Sequence, residues 1–265
     1  MVARQRDLFA ETTSISARTV YEGRAEGGDQ ALDLDRRCED VVFDELQPLA
    51  DAGHSLLVIS EERGEVVLGP APAEGERTRI VVDPIDGSMN VRRTIPSHSF
   101  SIAVAEGPSM ADVTFGLVHD FGADEEFAAT RGGGATLDGE PLPKLADGRG
   151  LEVVGLESAE PTWVAGPIAA LAGEVYRLRV VGSIAITLCY VAAGRFDAML
   201  SARTCRSVDA AAAQLILRET GGSLAFGEGE LSDADLGLDA RYPVAAAADE
   251  ADLATVVRAQ QASPA

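Results

Sequence analysis

The sequence contains little of what disulfide-bonded, zinc-binding or nucleic-acid-binding proteins need. Cysteine occurs only at Cys38, Cys189 and Cys205. This odd, widely spaced set argues against a disulfide scaffold and against a zinc finger. Lys144 is the only lysine, and the formal net charge is −21. Because a nucleic-acid partner requires a basic face, the charge argues against such a partner.

Long apolar segments are also missing. No apolar run approaches the roughly 18 residues that would suggest a membrane span. The charged N-terminal stretch MVARQRDLFAETT has no apolar signal core. We therefore expect a cytoplasmic protein with no membrane partner. A length of 265 residues allows one large domain or two packed subdomains.

Acidic residues are abundant instead. The chain has 43 Asp and Glu residues, the sequence pI is near 4.4, and arginine supplies every positive side chain except Lys144. An acidic, lysine-poor surface is expected of a protein that works in concentrated salt, where screening weakens self-repulsion. Compositional drift in an arginine- and alanine-rich genome would give the same pattern. We favour the halophilic interpretation.

The sequence pattern of the first half of the chain predicts helices followed by strands. Apolar spacing predicts a helix over residues 4–22, a glycine-rich loop over residues 22–30 and a helix over residues 33–50. Strand patterns follow at residues 56–60, 80–83, 100–106, 113–119 and 125–130. Asp138-Gly139, in a turn-rich stretch, predicts a hairpin. This order predicts an antiparallel sheet.

The second half alternates strands and helices, which is an α/β pattern. Strands are predicted at residues 151–155, 179–181, 196–200, 223–226 and 244–248. Helices are predicted at residues 161–172, 183–193, 209–220 and 250–261. We therefore expect an N-terminal α+β subdomain over residues 1–147, with an antiparallel sheet and a metal site. A C-terminal α/β subdomain over residues 148–265 is expected to pack against it.

The most informative stretch is residues 80–90, Ile-Val-Val-Asp-Pro-Ile-Asp-Gly-Ser-Met-Asn. An apolar strand ends there in Asp83 and Asp86, which offer the hard oxygen ligands that Mg²⁺ prefers. The carbonyl of Ile85 can face the same ion, and the amides of Gly87 and Ser88 could bind a phosphate. An ordinary Asp-Pro turn closed by Asp-Gly contains the same residues.

Two further acidic clusters occur at the ends of predicted elements. Glu61 and Glu62 follow a strand, and Asp209 begins a helix. If they converge with Asp83 and Asp86, they form a cage of carboxylates that is costly without cations. Two or more Mg²⁺ ions would resolve this conflict and could activate a water for attack on phosphorus. Taken singly, Glu61-Glu62 also fits a solvated turn, and Asp209 a helix N-cap.

Together these segments resemble the inositol monophosphatase family. Its members are Mg²⁺-dependent, lithium-sensitive sugar-phosphate phosphatases related to fructose-1,6-bisphosphatases. The resemblance covers roughly residues 30–225 and includes the glycine-rich hairpin at 131–139 and the stretches 179–185 and 190–198. Val208 stands where bacterial and animal members commonly have tryptophan, and the Asp-Ala-Ala-Ala run that follows looks more like archaeal members. The resemblance implies a layered αβαβα sandwich of the sugar phosphatase type, usually a homodimer.

Carried over by position, the resemblance implies a set of site residues. Two or three Mg²⁺ ions would be held by Glu61, Asp83, Asp86, Asp209 and the carbonyl of Ile85. The residues implied to act on the attacking water are Ser88 with Glu61, and Asp35 supporting the Ser88 hydroxyl. The residues implied to contact the substrate are Asp86, Gly87, Ser88, Gly182 and Ser183. Lithium is expected to inhibit, and the role of Glu62 stays open.

One departure concerns the substrate. Family members that recognise inositol carry an acid after the strand at 196–200, whereas this chain has Ser201-Ala202-Arg203. Arg179 and Arg203, among the nearby arginines, could instead hold a second phosphate. We expect a Mg²⁺-dependent phosphomonoesterase for fructose 1,6-bisphosphate, inositol 1-phosphate or both, acting by in-line attack of a metal-activated water. The alternatives are a nucleotide 3′-phosphate phosphatase and a non-catalytic, metal-binding regulatory protein on the same scaffold.

Overall fold

Two β-sheets and three layers of helices make up the protein. The computed structural model describes residues 1–24, 26, 30–73, 75–146, 148 and 150–263. The helices are α1 (Val2–Glu11), α2 (Ile15–Arg18), α3 (Asp33–Asp51), α4 (Ser88–Arg92), α5 (Pro161–Ala170), α6 (Ile184–Ala192), α7 (Ser207–Glu219) and α8 (Glu250–Gln260). Among these described residues, no helix is both long enough and apolar enough to cross a membrane.

The larger sheet has eight strands in the order β10-β9-β8-β7-β6-β5-β3-β4. They are β3 (Leu56–Ser60), β4 (Gly64–Leu68), β5 (Thr78–Asp86), β6 (Ser99–Ala105), β7 (Val113–Asp120), β8 (Glu125–Thr130), β9 (Gly134–Leu137) and β10 (Glu140–Pro141). Neighbours pair antiparallel except β3 and β5, which are parallel. The predicted antiparallel sheet is thus confirmed with one parallel pair, and that pair makes Glu61 and Asp83 emerge at the same edge.

The smaller sheet has five strands in the order β12-β11-β13-β17-β15. They are β11 (Val153–Glu157), β12 (Arg177–Arg179), β13 (Ala198–Ser201), β15 (Ser223–Phe226) and β17 (Val244–Ala247). Two short antiparallel ribbons complete the set: β1 (Tyr21–Arg24) with β2 (Gln30–Leu32), and β14 (Cys205–Arg206) with β16 (Arg241–Tyr242).

Successive side chains of a strand point to opposite faces of the sheet and pack in different cores. This alternation shows the order of the layers. Val58 of β3 packs in a core with α3, whereas its neighbour Ile59 faces the core that contains α6, α7 and the inner face of the smaller sheet. The outer face of the smaller sheet packs against α5 and α8. The predicted αβαβα sandwich is therefore confirmed: α1 and α3, larger sheet, α6 and α7, smaller sheet, α5 and α8.

The predicted division at residues 147/148 stays a prediction. The larger sheet precedes this point and the smaller sheet follows it. However, one apolar core joins both halves, because Ile59 and Val81 pack in the same cluster as Leu215 and Val244.

Several predicted elements are wrong in extent. The single helix predicted over residues 4–22 is two helices, because Thr12 bonds back to the carbonyl of Leu8 while Ser14 caps α2 through the amide of Ala17. The loop predicted over residues 22–30 contains parts of β1 and β2, and its residues 25 and 27–29 lie outside the described residues. The hairpin at Asp138-Gly139 is confirmed as the turn between β9 and β10.

Candidate metal centre

A cavity of about 460 Å³ lies at the edge of the larger sheet where β3 and β5 end. Most of the residues that the sequence singles out meet in its wall. These are Asp35, Glu61, Glu62, Asp83, Ile85, Asp86, Gly87, Ser88 and Asp209.

Three carboxylates form the centre of this wall. Each of Glu61, Asp83 and Asp209 offers an oxygen, and these atoms all lie within 4.8 Å of one another. The backbone explains the convergence. Ser60 pairs with Val82 in the parallel β3–β5 ladder, so the next residues, Glu61 and Asp83, lie side by side. Asp209 reaches them from the first turn of α7.

The electrostatics of this cluster favour a cation. Burial, followed by the charges of Glu61 and Asp86, raises the pKa of Asp83 well above its ordinary range. Burial and the charge of Asp86 raise the pKa of Asp209 to about 7. Burial and the neighbouring negative charges thus both disfavour the ionised carboxylates here. A hard divalent cation would offset that repulsion, and an all-oxygen donor set suits Mg²⁺. The residues present therefore fit the predicted metal.

Asp86 lines the same cavity, and residues at the start of α6 bind one of its carboxylate oxygens. Its Oδ2 accepts a 2.6 Å hydrogen bond from the Ser183 hydroxyl and a 2.7 Å bond from the backbone N–H of Ala185. Burial raises the pKa of Asp86 to about 7, although these two hydrogen bonds oppose the shift. A shift in the β5–β6 register between Asp83 and Asp86 re-aims the chain between the two acids, as bulges do. One carboxylate oxygen is thus committed to α6, which leaves Oδ1 for a ligand.

Glu61 has a cationic neighbour that sequence reasoning did not assign to it. The Nη1 of Arg206 donates a 2.8 Å hydrogen bond to Glu61 Oε1, and both side chains are largely buried. Arg206 immediately precedes α7, and its backbone N–H donates to Asp209 Oδ2 at 2.8 Å. The interpretation of Asp209 as the N-cap is therefore wrong, because α7 begins at Ser207 and Arg206 is the N-cap. Asp209 instead bonds back to the N-cap from the third helical position, which is compatible with a role as metal ligand.

Ser88, Ile85 and Asp35 form a second group in the wall. Ile85 turns its side chain into the core beside Leu34 and Val91, and its carbonyl accepts a 3.0 Å hydrogen bond from Ser88 Oγ. Burial raises the pKa of Asp35 well above its ordinary range, whereas a hydrogen bond with the Ser88 hydroxyl lowers it. Asp35 Oδ1 is buried without a hydrogen-bond partner among the described residues. Such an atom fits a site that a water or ion completes.

Two glycines allow two chain segments to meet here. Gly87 has φ +101°, and a Cβ there would lie 3.1 Å from the carbonyl oxygens of Gly182 and Ser97. Gly182 has φ +82°, and a Cβ there would lie 2.7 Å from Asn90 Nδ2. Only glycine adopts a positive φ and also leaves room for such a close neighbour at low cost. Ser183 is 1% exposed and contacts Asp86, so Gly182 and Ser183 lie behind Asp86 and outside the described cavity wall.

Arg179 and Arg203 lie elsewhere. Arg179 is exposed and donates to the carbonyl of Leu178, and the guanidinium of Arg203 stacks over Trp163 at 4.8 Å. Neither lines the cavity, whereas Arg92 and Arg206 do. Their proposed contact with a second phosphate stays a prediction.

Sequence reasoning missed Glu157 and Asn90, which hold the segment around Gly182. Asn90 Nδ2 donates to the carbonyl of Val181 at 2.8 Å, and Glu157 accepts from the amides of Val181 and Gly182. These amides bond to a side chain and not to a neighbouring strand, which explains why β12 ends at Arg179 and not at the predicted residue 181. An acid at the end of an apolar strand, Val153–Glu157, was the available signal.

Comparison with known proteins agrees with the fold and with the motifs. The model of the inositol monophosphatase family matches residues 6–263, so this chain belongs to that family. A fructose-1,6-bisphosphatase/inositol-1-monophosphatase of Thermococcus kodakarensis is 31% identical over 238 residues, which are 89% of this chain and 85% of that protein.

Two further proteins show the range of similarity. The Nus factor SuhB of Escherichia coli is 31% identical over 201 residues, covering 73% of this chain and 70% of that protein. The crystal structure of the MJ0109 gene product, an inositol monophosphatase-fructose 1,6-bisphosphatase, superposes with a TM-score of 0.81. It is 24% identical and covers 96% of this chain and 94% of that chain, and this likeness establishes the fold alone.

Proposed function

We propose that this protein is a Mg²⁺-dependent phosphomonoesterase that hydrolyses a small sugar phosphate or bisphosphate. The observation that carries the proposal is the meeting of the Glu61, Asp83 and Asp209 oxygens within 4.8 Å, beside Asp86, in one cavity. Family membership supports a phosphatase. The T. kodakarensis relative, named for fructose 1,6-bisphosphate and inositol 1-phosphate, supports the substrate class.

The ion-binding residues would be Glu61, Asp83, Asp86, Asp209 and the carbonyl of Ile85. Bound Mg²⁺, as two or three ions, would neutralise the phosphoryl oxygens and lower the pKa of a nearby water. Li⁺ is expected to inhibit by competing for the same oxygens. The carboxylates would repel a phosphate directly, so the bound cation would supply the attraction and the chain's own residues would orient the phosphate.

Ser88 and its neighbours are proposed to orient the attacking water. The Ser88 hydroxyl lies against the Ile85 carbonyl and Asp35, so its single proton is engaged by the protein. Its lone pairs remain free to accept a hydrogen bond from a water in the cavity. Glu61 can accept a hydrogen bond from the second O–H of that water, and Gly87 belongs to the same cavity wall. A water held at two points in this way is suited to in-line attack.

Three observations bear on the choice of substrate. Ser201-Ala202-Arg203 contains no acid at the position where family members that recognise inositol carry one, and Ser201 Oγ is already engaged, because it accepts a hydrogen bond from the backbone N–H of Val244. Of the residues that line the described cavity, Tyr21 alone is aromatic, which gives a nucleotide base little surface for stacking. Arg206 offers a cation for a second phosphate. These features favour a sugar bisphosphate over both inositol 1-phosphate and a nucleotide 3′-phosphate.

A phosphate-release assay with Mg²⁺ over the three substrates tests the proposal. We expect kcat/KM for fructose 1,6-bisphosphate to exceed that for inositol 1-phosphate. A site without an acid to accept a hydrogen bond from an inositol hydroxyl has no contact that selects inositol over other sugars. Absence of release from every ester would favour the second candidate, a non-catalytic regulatory protein. The similarity to the Nus factor SuhB supports that candidate. An intact set of carboxylates is the argument against it.

A homodimer is also part of the proposal. Ile168, Tyr176 and Val180 are exposed by 44%, 63% and 59%, and they lie in or near α5 and the edge strand β12. Exposed apolar side chains on a helix and beside an edge strand suit a contact with a second copy. Light scattering after size exclusion would give the mass: a monomer at micromolar concentration contradicts this part.

A further inference from the structure

The turn formed by Val181, Gly182 and Ser183 lies directly behind Asp86. The Ser183 hydroxyl and the amide of Ala185, in the first turn of α6, both bond to Asp86 Oδ2. The position of this turn therefore decides which oxygen of Asp86 stays available to the cavity.

Glu157, the last residue of β11, holds this turn from the side away from the cavity. Its side chain is buried, with 2% of the residue exposed. Oε2 accepts from the N–H of Gly182 at 2.9 Å, and Oε1 accepts from the N–H of Val181 at 3.1 Å and from Thr187 Oγ1 at 2.7 Å. A buried carboxylate is tolerated only where hydrogen bonds compensate for its lost hydration, and here two of the three donors belong to the turn.

Asn90 completes the arrangement from the opposite side. Its Nδ2 donates to the carbonyl of Val181 at 2.8 Å and to that of Ser97 at 2.6 Å. The amides of the turn are thus bound by β11, and one carbonyl by α4. A segment fixed at both backbone groups has little freedom to rotate, so the Ser183 hydroxyl is aimed at Asp86 before any ion binds.

We propose that Glu157 is a positioning residue, which orders the turn at Val181–Ser183 and through Ser183 fixes the orientation of Asp86 for metal binding. The inference rests on the metal-dependent function proposed above. Outer partners that orient metal ligands change metal affinity about 10–100-fold when they are removed. Glu157 acts one contact further out, so an effect at the lower end of that range is expected.

Glu157→Gln is the informative substitution. Glutamine keeps one carbonyl oxygen, which can still accept from Thr187 and Val181, but it places an NH₂ group against the N–H of Gly182. Two donors then face each other in a buried site, and the turn must shift. Because size and shape are nearly unchanged, the substitution does not test packing. It removes both the hydrogen bond to Gly182 and a negative charge that acts on Asp86, and Glu157→Asp, which keeps the charge, separates the two effects.

Asp197→Asn provides a matched control. Asp197 is also a buried carboxylate, and its Oδ2 accepts the backbone amides of Glu152 and Val153 at the opposite end of β11. Asp197→Asn therefore makes the same chemical change against the same strand, away from Asp86. Both substitutions should lower the thermal midpoint of the metal-free protein, so the midpoint measures their structural cost.

Calorimetric titration of the full chain with Mg²⁺, without substrate, tests the proposal. We expect Glu157→Gln to raise the Mg²⁺ dissociation constant about tenfold, and Asp197→Asn by less than about twofold. Equal effects of the two variants, with Mg²⁺ binding intact in the wild type, would overturn the role of Glu157 and leave the phosphatase proposal standing. A wild-type protein that binds no Mg²⁺ would overturn both.

A double-mutant cycle checks that the effect passes through Ser183. We expect Ser183→Ala to weaken Mg²⁺ binding at least as much as Glu157→Gln, and the combined variant to be little weaker than Ser183→Ala alone. Additive effects would show that Glu157 does not act through Ser183. Should Glu157→Gln not fold, Glu157→Asp keeps the charge and withdraws the oxygens from the turn, and the same rise in dissociation constant is expected.

Discussion

Arg206 and Glu61, which are 145 residues apart in the sequence, share a 2.8 Å hydrogen bond inside the cavity. The carboxylate cluster therefore contains a permanent cation, positioned by β14 and by the start of α7. A guanidinium can pair with a carboxylate and a phosphate at the same time, since it has five N–H donors in a rigid plane. Arg206 lines the cavity, and under the proposed function it could contact a substrate phosphate while it stays paired with Glu61.

We predict that Arg206→Gln lowers kcat/KM for fructose 1,6-bisphosphate by tenfold or more. A charge-assisted hydrogen bond contributes about 1.5–3 kcal/mol, and about 1.4 kcal/mol corresponds to tenfold. The comparison variant is Arg179→Ala with Arg203→Ala, the pair favoured by sequence reasoning. Steady-state kinetics on both variants decide between the two assignments: a larger loss in the double variant would place the second phosphate outside the described cavity.

Metal removal should abolish activity. We predict that a chelator stops phosphate release, that Mg²⁺ restores it, and that Asp83→Asn reduces kcat about 100-fold or more, because a ligand that stabilises charge in the transition state is lost. Asp44→Asn is the control, since Asp44 is an exposed acid paired with Arg4. Full turnover in excess chelator would contradict the metal mechanism.

The stability of the metal-free protein should fall as pH rises. Burial raises the pKa values of Asp86 and Asp209 to about 7, whereas both would be near 4 in the unfolded chain. Between these values the folded state binds more protons than the unfolded state, so the free energy of unfolding decreases from about pH 4 to pH 7.

The matching experiment compares thermal midpoints with and without Mg²⁺ at acidic and neutral pH, in constant high KCl to limit general charge repulsion. We predict that Mg²⁺ raises the midpoint more at neutral pH, because protons compete with the ion at acidic pH. Asp209→Asn should reduce this difference. An equal Mg²⁺ effect at both pH values would argue that these carboxylates are not the ligands.

Salt should stabilise the fold. The net charge of −21 creates self-repulsion that dilute buffer screens poorly. We predict that the thermal midpoint rises from dilute buffer to molar KCl at fixed Mg²⁺. A midpoint that did not rise would favour compositional drift as the origin of the acidic surface.

The resemblance to the inositol monophosphatase family predicted the layered fold, and local patterns predicted many of the strands and most of the residues that meet in the cavity. Strands such as Leu56–Ser60 are short apolar runs that end in charged residues, so both their type and their chemistry are local properties. The motif at Asp83–Ser88 combines proline, glycine and paired acids at fixed spacing. Such patterns can be recognised in the sequence without any knowledge of distant contacts.

What could not be predicted depends on distant contacts. Arg206 was one of several arginines near the second half of the site, and only the packing of α7 against the larger sheet places it beside Glu61. Glu157 resembles any acid that follows an apolar strand, and its partners lie in a turn more than twenty residues later. Arg203 stacks on Trp163 and does not line the cavity. No local sequence pattern predicts this stacking contact.

The parallel pairing of β3 with β5 has a consequence for how the protein is made. It brings Glu61 and Asp83 together early in the chain, but Asp209 arrives only with α7, after most of the smaller sheet has been synthesised. The nascent N-terminal half therefore carries an acidic pair that lacks its third member and its arginine. The complete set of carboxylates proposed to bind Mg²⁺ therefore forms only after α7 has been synthesised, so the Mg²⁺ affinity would report whether α7 has packed against the larger sheet.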